Sequence, residues 1–257
     1  MHPILFKIGN FELRSFGVML MIAFIVSVFM AGKRGPKFGL KTEQIQDAAL
    51  WLILPGILGA RIMFIAIEWK TYAGNWNEIF KIQMDGLTSF GGLLGGAIGL
   101  ILYSKFKKVP MAGILDSVGV PVLIAHGIGR IGCLLNGCCH GQFCATSPPG
   151  VHVAGKPGFY YPAQLADTGI VFLGAILVFL IEKKFQLAKG VSVSLAMGTY
   201  GLSRFIYEFL RAGASSTTIG GTNFTDAHIA GMVMALVGYG CAFMLNRRGN
   251  LTQITES

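Results

Sequence analysis

Seven apolar stretches, at residues 16–32, 48–67, 87–104, 113–135, 163–181, 191–210 and 226–246, occupy more than half of this 257-residue chain. Each is near the ~20 residues that a helix needs to cross a hydrocarbon core. Lipid offers the backbone no hydrogen-bond partner, so a lone apolar segment of this length satisfies its peptide groups by becoming a helix. The chain therefore reads as an all-α polytopic membrane protein with about seven transmembrane helices, in a single integral-membrane domain over residues 1–257. Only 13% of its residues are charged, whereas water-soluble domains carry about 25%. The 36 glycines suit helices that approach closely in lipid. Met1–Arg14 lacks a basic segment followed by an apolar one, so the first span is expected to serve as its own insertion signal.

A formal charge of +9 would suggest a nucleic-acid partner in a soluble protein. Here its distribution points to topology instead, and no nucleic acid is expected. Twelve basic residues fall on one side of the spans: Lys33, Arg34, Lys37, Lys41, Lys105, Lys107, Lys108, Lys183, Lys184, Lys189, Arg247 and Arg248. Six fall on the other: Lys7, Arg14, Lys70, Lys81, Lys156 and Arg211. The positive-inside rule puts the N-terminus outside and the C-terminus in the cytoplasm, as seven crossings require.

The remaining cations, Arg61, Arg130 and Arg204, lie within spans. An arginine at that depth is costly and marks a pathway or a ligand. On the expected topology Arg61, the Ser89-Phe90-Gly91-Gly92 run, Arg130, the Tyr161 to Asp167 segment and the Arg204 to Arg211 segment all fall in the outer half of the membrane. At helical spacing His126, Arg130, Cys133 and Gly137 share one face, as do Tyr200, Arg204, Glu208 and Arg211. The structural alternatives are an Arg204–Glu208 pair four residues apart and pairing of Arg130 with Asp116 or Asp167. The functional alternative is an outward-opening cavity for an anionic lipid, whose phosphate matches the guanidinium fork.

Five cysteines occur, at 133, 138, 139, 144 and 241. No C-x-x-C pair is present and the spacing fits no zinc signature, so neither a metal nor a cofactor is expected. The adjacent Cys138 and Cys139 read either as packing residues or as a nucleophilic or redox pair. Residues 136–162, with Pro148-Pro149 and Pro157-Gly158, read as irregular backbone.

The motifs resemble those of the prolipoprotein diacylglyceryl transferase family of bacterial inner membranes. The family signature G-R-x-G-N-F-x-N-x-E-x-x-G is met at Gly129, Arg130, Gly132, Asn136 and Gly141. The element Y-G-x-x-R-F-x-x-E-F-x-R is met in full by Tyr200, Gly201, Arg204, Phe205, Glu208, Phe209 and Arg211, and Pro162, Gln164 and Leu165 meet H-P-x-Q-L. The departures are specific. Cys133, Leu134 and Cys138 replace the signature's Asn, Phe and Glu, and Tyr161 replaces the His before Pro162. Ser89-Phe90-Gly91-Gly92 lacks the third-span His.

The resemblance implies transfer of an sn-1,2-diacylglyceryl group from phosphatidylglycerol to the lipobox cysteine thiol of a prolipoprotein, with release of glycerol 1-phosphate. It implies Arg130, Arg204, Glu208 and His126 as catalytic candidates, with His140 a second candidate base. Substrate-binding candidates are Arg130, Asn136, Gly129, Gly141, Tyr200, Arg211, Gln164 and Arg61. The competing readings are a related lipid transferase with another acceptor, one using Cys138 or Cys139 as a covalent carrier, a non-catalytic phospholipid-binding or transport protein, and a redox membrane protein. Topology is directly testable. With the native cysteines removed, Lys156→Cys should react with an impermeant thiol reagent on intact spheroplasts and Lys107→Cys should not; the reverse pattern would invert the orientation.

Overall fold

The computed structural model describes residues 2–8, 11–69, 88–144, 150–153, 156–211 and 224–255. Among these, helices α1 (Ser15–Arg34), α2 (Thr42–Ile67), α3 (Ser89–Lys107), α4 (Met111–Asn136), α5 (Ala163–Lys184), α6 (Val191–Leu210) and α7 (Asp226–Thr255) coincide with the apolar stretches. Five helical segments are long and apolar enough to cross a membrane: Ser15–Phe38, Thr42–Ile67, Met111–Asn136, Ala163–Lys184 and Asp226–Arg248. The glycines of α3 and the hydroxyl and charged residues of α6 dilute the other two. The protein is a mostly helical, multi-pass membrane protein.

The burial pattern is that of a chain whose solvent is lipid. On α5 the buried face carries Gln164, Asp167, Thr168, Ala175 and Glu182 among its small residues, while Leu173, Ile176, Leu177 and Leu180 face outward. α6 repeats the arrangement, with Ser192, Thr199, Ser203 and Glu208 inside and Leu202 and Ile206 outside. Apolar side chains gain nothing by leaving hydrocarbon, so the interior admits small and polar groups that pack or hydrogen-bond there, beside an apolar cluster of Val120, Leu123, Val171, Ala175, Val178 and Ala196.

The all-α expectation needs a correction, because two small sheets are present. Strands β1 (Ile4–Ile8) and β2 (Phe11–Arg14) pair antiparallel, and β3 (Phe143–Cys144), β4 (Val151–His152) and β5 (Phe159–Tyr160) form a sheet in the order β3-β5-β4. Two-residue strands are too short to show an alternation of polarity, and residues 136–162 therefore read as irregular.

The chain divides into two compact units, one of Met1–Arg34 with Leu115–Ser257 and one of Gly35–Ile114. In the second unit α2 and α3 meet through glycine: a Cβ on Gly59 would lie 2.9 Å from the Cα of Gly95. In the first unit α6 and α7 do the same, a Cβ on Gly231 falling 2.8 Å from the amide nitrogen of Phe205 and 2.9 Å from the carbonyl of Gly201. Backbones this close exclude any side chain larger than hydrogen.

One end of the first unit is tied by a buried polar clasp. Asp116 accepts hydrogen bonds from the amides of Gly190, at 2.6 Å, and Val193, at 3.0 Å, and so caps the N-terminus of α6. Arg34 lies 2.8 Å from Glu182, which also accepts the Ser192 hydroxyl. The clasp joins the ends of α1 and α5 to α4 and the start of α6. The α6–α7 seam gives a clear test. Gly231→Leu should sharply lower the yield and melting temperature of detergent-solubilised protein, while Gly240→Leu, where an added Cβ meets nothing within 4 Å, should leave both near wild type.

Candidate functional site

At the other end of the first unit, the contacts join the last turns of α4 and α6 to the first turns of α5 and α7. Asp167, 1% exposed, is central. Its Oδ2 lies 2.5 Å from Arg130 Nε and 3.1 Å from His126 Nε2, and its Oδ1 accepts the Ser203 hydroxyl. Of the two acidic partners expected for Arg130, the structure therefore selects Asp167; Asp116 is engaged in the clasp. Because Arg130 spends only its Nε–H on the carboxylate, the two terminal amino groups of its fork remain as donors among the described residues.

Arg130 and Arg204 meet on one ring. The Arg130 guanidinium lies 4.2 Å from the centroid of Tyr207, and that of Arg204 lies 5.3 Å from it. Each cation keeps its own counter-charge, since Arg204 stands 2.9 Å from buried Glu208 as the four-residue spacing requires. Arg211 approaches the same Glu208 oxygen at 3.8 Å, and the Thr225 hydroxyl donates to its other oxygen at 3.4 Å. Tyr207 is fully buried and its hydroxyl donates to the Cys139 carbonyl at 2.9 Å. Tyr200 packs edge-on against His126, with centroids 5.0 Å apart.

The loop after α4 is shaped by its cap. Gly137, with φ +77°, ends the helix; its N–H bonds the Leu134 carbonyl and the Cys138 N–H bonds the Cys133 carbonyl, both at 3.1 Å. This is the Schellman arrangement, which brings the side chains at its two ends, here Cys133 and Cys138, into contact. Cys139 then takes φ +61°, unusual for a residue with a side chain. Gln164, fully buried, donates to the Cys138 carbonyl at 2.6 Å, so the two carbonyls of Cys138 and Cys139 are pinned by Gln164 and Tyr207 respectively. The sulfurs of Cys133, Cys138 and Cys139 all lie within 4.8 Å of one another. The Cys139 thiol is drawn well below its ordinary value, first by a hydrogen bond from Cys133 and then, against burial, by Cys138 and the guanidinium groups of Arg130 and Arg211. A search by C-x-x-C spacing passes over this cluster, because the helix cap and not a spacing rule assembles it.

Gly141 donates to the Tyr161 carbonyl at 2.7 Å and bridges Arg211, and a Cβ there would lie 2.8 Å from the Leu210 carbonyl. Gly129 faces open space, with nothing within 4 Å of an added Cβ, and Asn136 is exposed at the end of α4. His140 is tied at both nitrogens: Nδ1–H donates to the Gly141 carbonyl at 2.9 Å, and Nε2 accepts from Lys156 at 2.8 Å. That leaves it no lone pair for a substrate proton. Arg61 is on α2 in the second unit, where its guanidinium lies 5.9 Å from the Phe64 ring. A cavity of about 380 Å³ opens between the start of α5 and the end of α6, lined by Gln142, Tyr161, Pro162, Leu165, Phe209 and Leu210 among others.

The family model described as prolipoprotein diacylglyceryl transferase matches residues 3–244. The chain belongs to the prolipoprotein diacylglyceryl transferase family. It is 33% identical over 216 residues to a phosphatidylglycerol–prolipoprotein diacylglyceryl transferase of Clostridium tetani, covering 82% of this chain and 86% of the relative. It is 27% identical over 259 residues to enzyme 1 of that name from Clostridium perfringens, covering 97% and 96%. Enzyme 2 of Clostridium perfringens is 33% identical over 218 residues, with 82% and 84% covered.

Within the family frame, two residues central to the geometry escaped the motif reading as site members. Asp167 stands three residues after Gln164 on the same buried face of α5, and Tyr207 is three residues after Arg204 on α6. Asp167 entered the sequence reading as one possible structural partner of Arg130, and Tyr207 did not enter it; contacts between helices are not readable from one sequence. Removing one partner of a buried ion pair strands the other charge. Asp167→Asn should therefore lower stability by about 3 kcal/mol, and adding Arg130→Met should recover part of that loss. Unfolding in detergent across the double-mutant cycle measures both.

Proposed function

We propose that this protein transfers an sn-1,2-diacylglyceryl group from phosphatidylglycerol to the lipobox cysteine thiol of a prolipoprotein, releasing glycerol 1-phosphate. The observation that carries this reading is the pair of guanidinium groups, Arg130 and Arg204, set over one buried tyrosine with their neutralising carboxylates behind them. Such a pair holds an anion without a net buried charge, and its donors aim at phosphate oxygens. The relatives' names, which specify phosphatidylglycerol and prolipoprotein, agree with that chemistry.

In this reading the thiol sulfur attacks the glyceryl carbon that carries the phosphate. An S–C bond forms, the C–O bond breaks, and its electron pair leaves on the phosphate oxygen held by Arg130 and Arg204. Glu208 orients Arg204 and Arg211. Asp167 orients Arg130 and sets the ring of His126, which receives the thiol proton; Tyr200 fixes the other side of that ring. Gln164 and Gly141 hold the loop after α4 against α5 and α6, Gly129 leaves room beside Arg130, and Asn136 faces the entering headgroup. The apolar cavity between α5 and α6 suits a lipid acyl chain. Seven crossings with the N-terminus outside would open this site to the periplasmic side of the bacterial inner membrane.

Reconstitution with phosphatidylglycerol vesicles and a lipobox peptide tests the proposal. Mass spectrometry should find diacylglyceryl on the peptide thiol together with equimolar glycerol 1-phosphate. Arg130→Lys should cost on the order of 100-fold in turnover, because a point charge replaces a fork. Phosphatidylglycerol binding without either product would favour a lipid-binding protein instead.

A further inference from the structure

We propose that Cys133, Cys138 and Cys139 form a three-thiolate site for zinc, whose fourth coordination position takes the acceptor thiol and delivers it as a thiolate. The second half of this proposal rests on the transferase reading; the first half stands by itself.

Geometry supplies the first argument. Tetrahedral zinc with Zn–S bonds of about 2.3 Å places its sulfurs about 3.8 Å apart. The three sulfurs already lie within 4.8 Å of one another, about 1 Å at most from that spacing. The backbone is arranged for it. The Schellman cap of α4 fixes Cys133 against Cys138, and Cys139 is held in a left-handed conformation while the Cys138 and Cys139 carbonyls are fastened by Gln164 and Tyr207. A packing role for three small residues would not require a strained φ at one of them.

Charge supplies the second. Three thiolates and one divalent zinc leave a single net negative charge. Arg130 over Tyr207, whose hydroxyl bonds the Cys139 carbonyl, and Arg211, bridged to Gly141 at the end of the same loop, offset it. Borderline-soft zinc suits an all-sulfur donor set, and three protein ligands rather than four are the mark of a zinc site with a position open to substrate. Two of these ligands, Cys133 and Cys138, occupy the positions where the family signature has Asn and Glu.

The step balances as follows. The acceptor thiol replaces a water on zinc and gives its proton to His126. The zinc-bound sulfur then forms its bond to the glyceryl carbon while the C–O bond breaks toward the phosphate held by Arg130 and Arg204. The product thioether is neutral and a weak ligand, so water displaces it.

Metal analysis of the full-length protein in detergent should find about one equivalent of zinc per chain, and Cys138→Ser should lose it while Cys241→Ser keeps it. Exchange with Co²⁺ should give the intense visible bands of a tetrahedral ion and sulfur-to-metal charge transfer. A lipobox peptide should shift those bands, and its serine counterpart should not. The cobalt spectrum of the wild-type protein needs no variant, so misfolding of a cysteine mutant leaves the test intact. Absence of zinc with an octahedral cobalt spectrum, or a native disulfide among the three cysteines, would overturn the site. Undiminished lipid transfer after complete removal of metal would reject the catalytic half and leave the transferase reading standing. A thiol-responsive cobalt spectrum in a protein that transfers no lipid would do the opposite.

Discussion

A buried carboxylate governs this structure. Asp167 lies between a guanidinium, an imidazole and a hydroxyl contributed by two neighbouring helices, with its Oδ2 2.5 Å from Arg130. An unpaired arginine in this interior would carry a desolvation cost of several kcal/mol. Pairing it from behind lets α4 present the remaining donors forward. The same arrangement recurs between Glu208 and Arg204, and Tyr207 spaces the two cations. The site thus gathers positive charge on one surface while each cation remains locally neutralised. The chain therefore incurs no isolated buried charge at either cation.

The helices were legible because lipid imposes a length and a polarity that no soluble fold demands, and the apolar stretches mark both directly. The inward faces were legible too: the spacing of Tyr200, Arg204, Glu208 and Arg211 sets them on one stripe of α6, and the Arg204–Glu208 pair followed from it. What failed were features decided between helices. Nothing in the spacing of Asp116 and Asp167 said which would meet Arg130, because the choice depends on how α5 packs on α4. His140 looked available until the β5 region and Lys156 closed on it.

The cysteines show another limit. A metal signature is a list of sequence intervals, valid where a known loop spans the ligands. Here the interval from 133 to 138 acquires its meaning from Gly137, which reverses the chain at a positive φ and folds the sixth residue of the motif over the first. The short strands after α4 were invisible for a related reason, since two-residue pairings are set by the loop that carries them and leave no periodic trace.

The division of the chain into two units bears on how the protein is made. The first unit consists of the opening helix and everything after residue 115, with the second unit inserted between them. Arg34, at the end of α1, finds Glu182 only 148 positions later. During synthesis α1 therefore enters the membrane before its partners exist: the carbonyls of Asp116 and Ser117 on α4 come first and Glu182 on α5 later. The Gly35–Ile114 unit, contiguous in sequence, faces no such delay. The Glu208 end of the first unit is completed last, because Thr225, just before α7, reaches Glu208 only when the final helix is in place. A truncated chain would thus hold inserted helices without a finished site, which makes the final helix a checkpoint for activity during biogenesis.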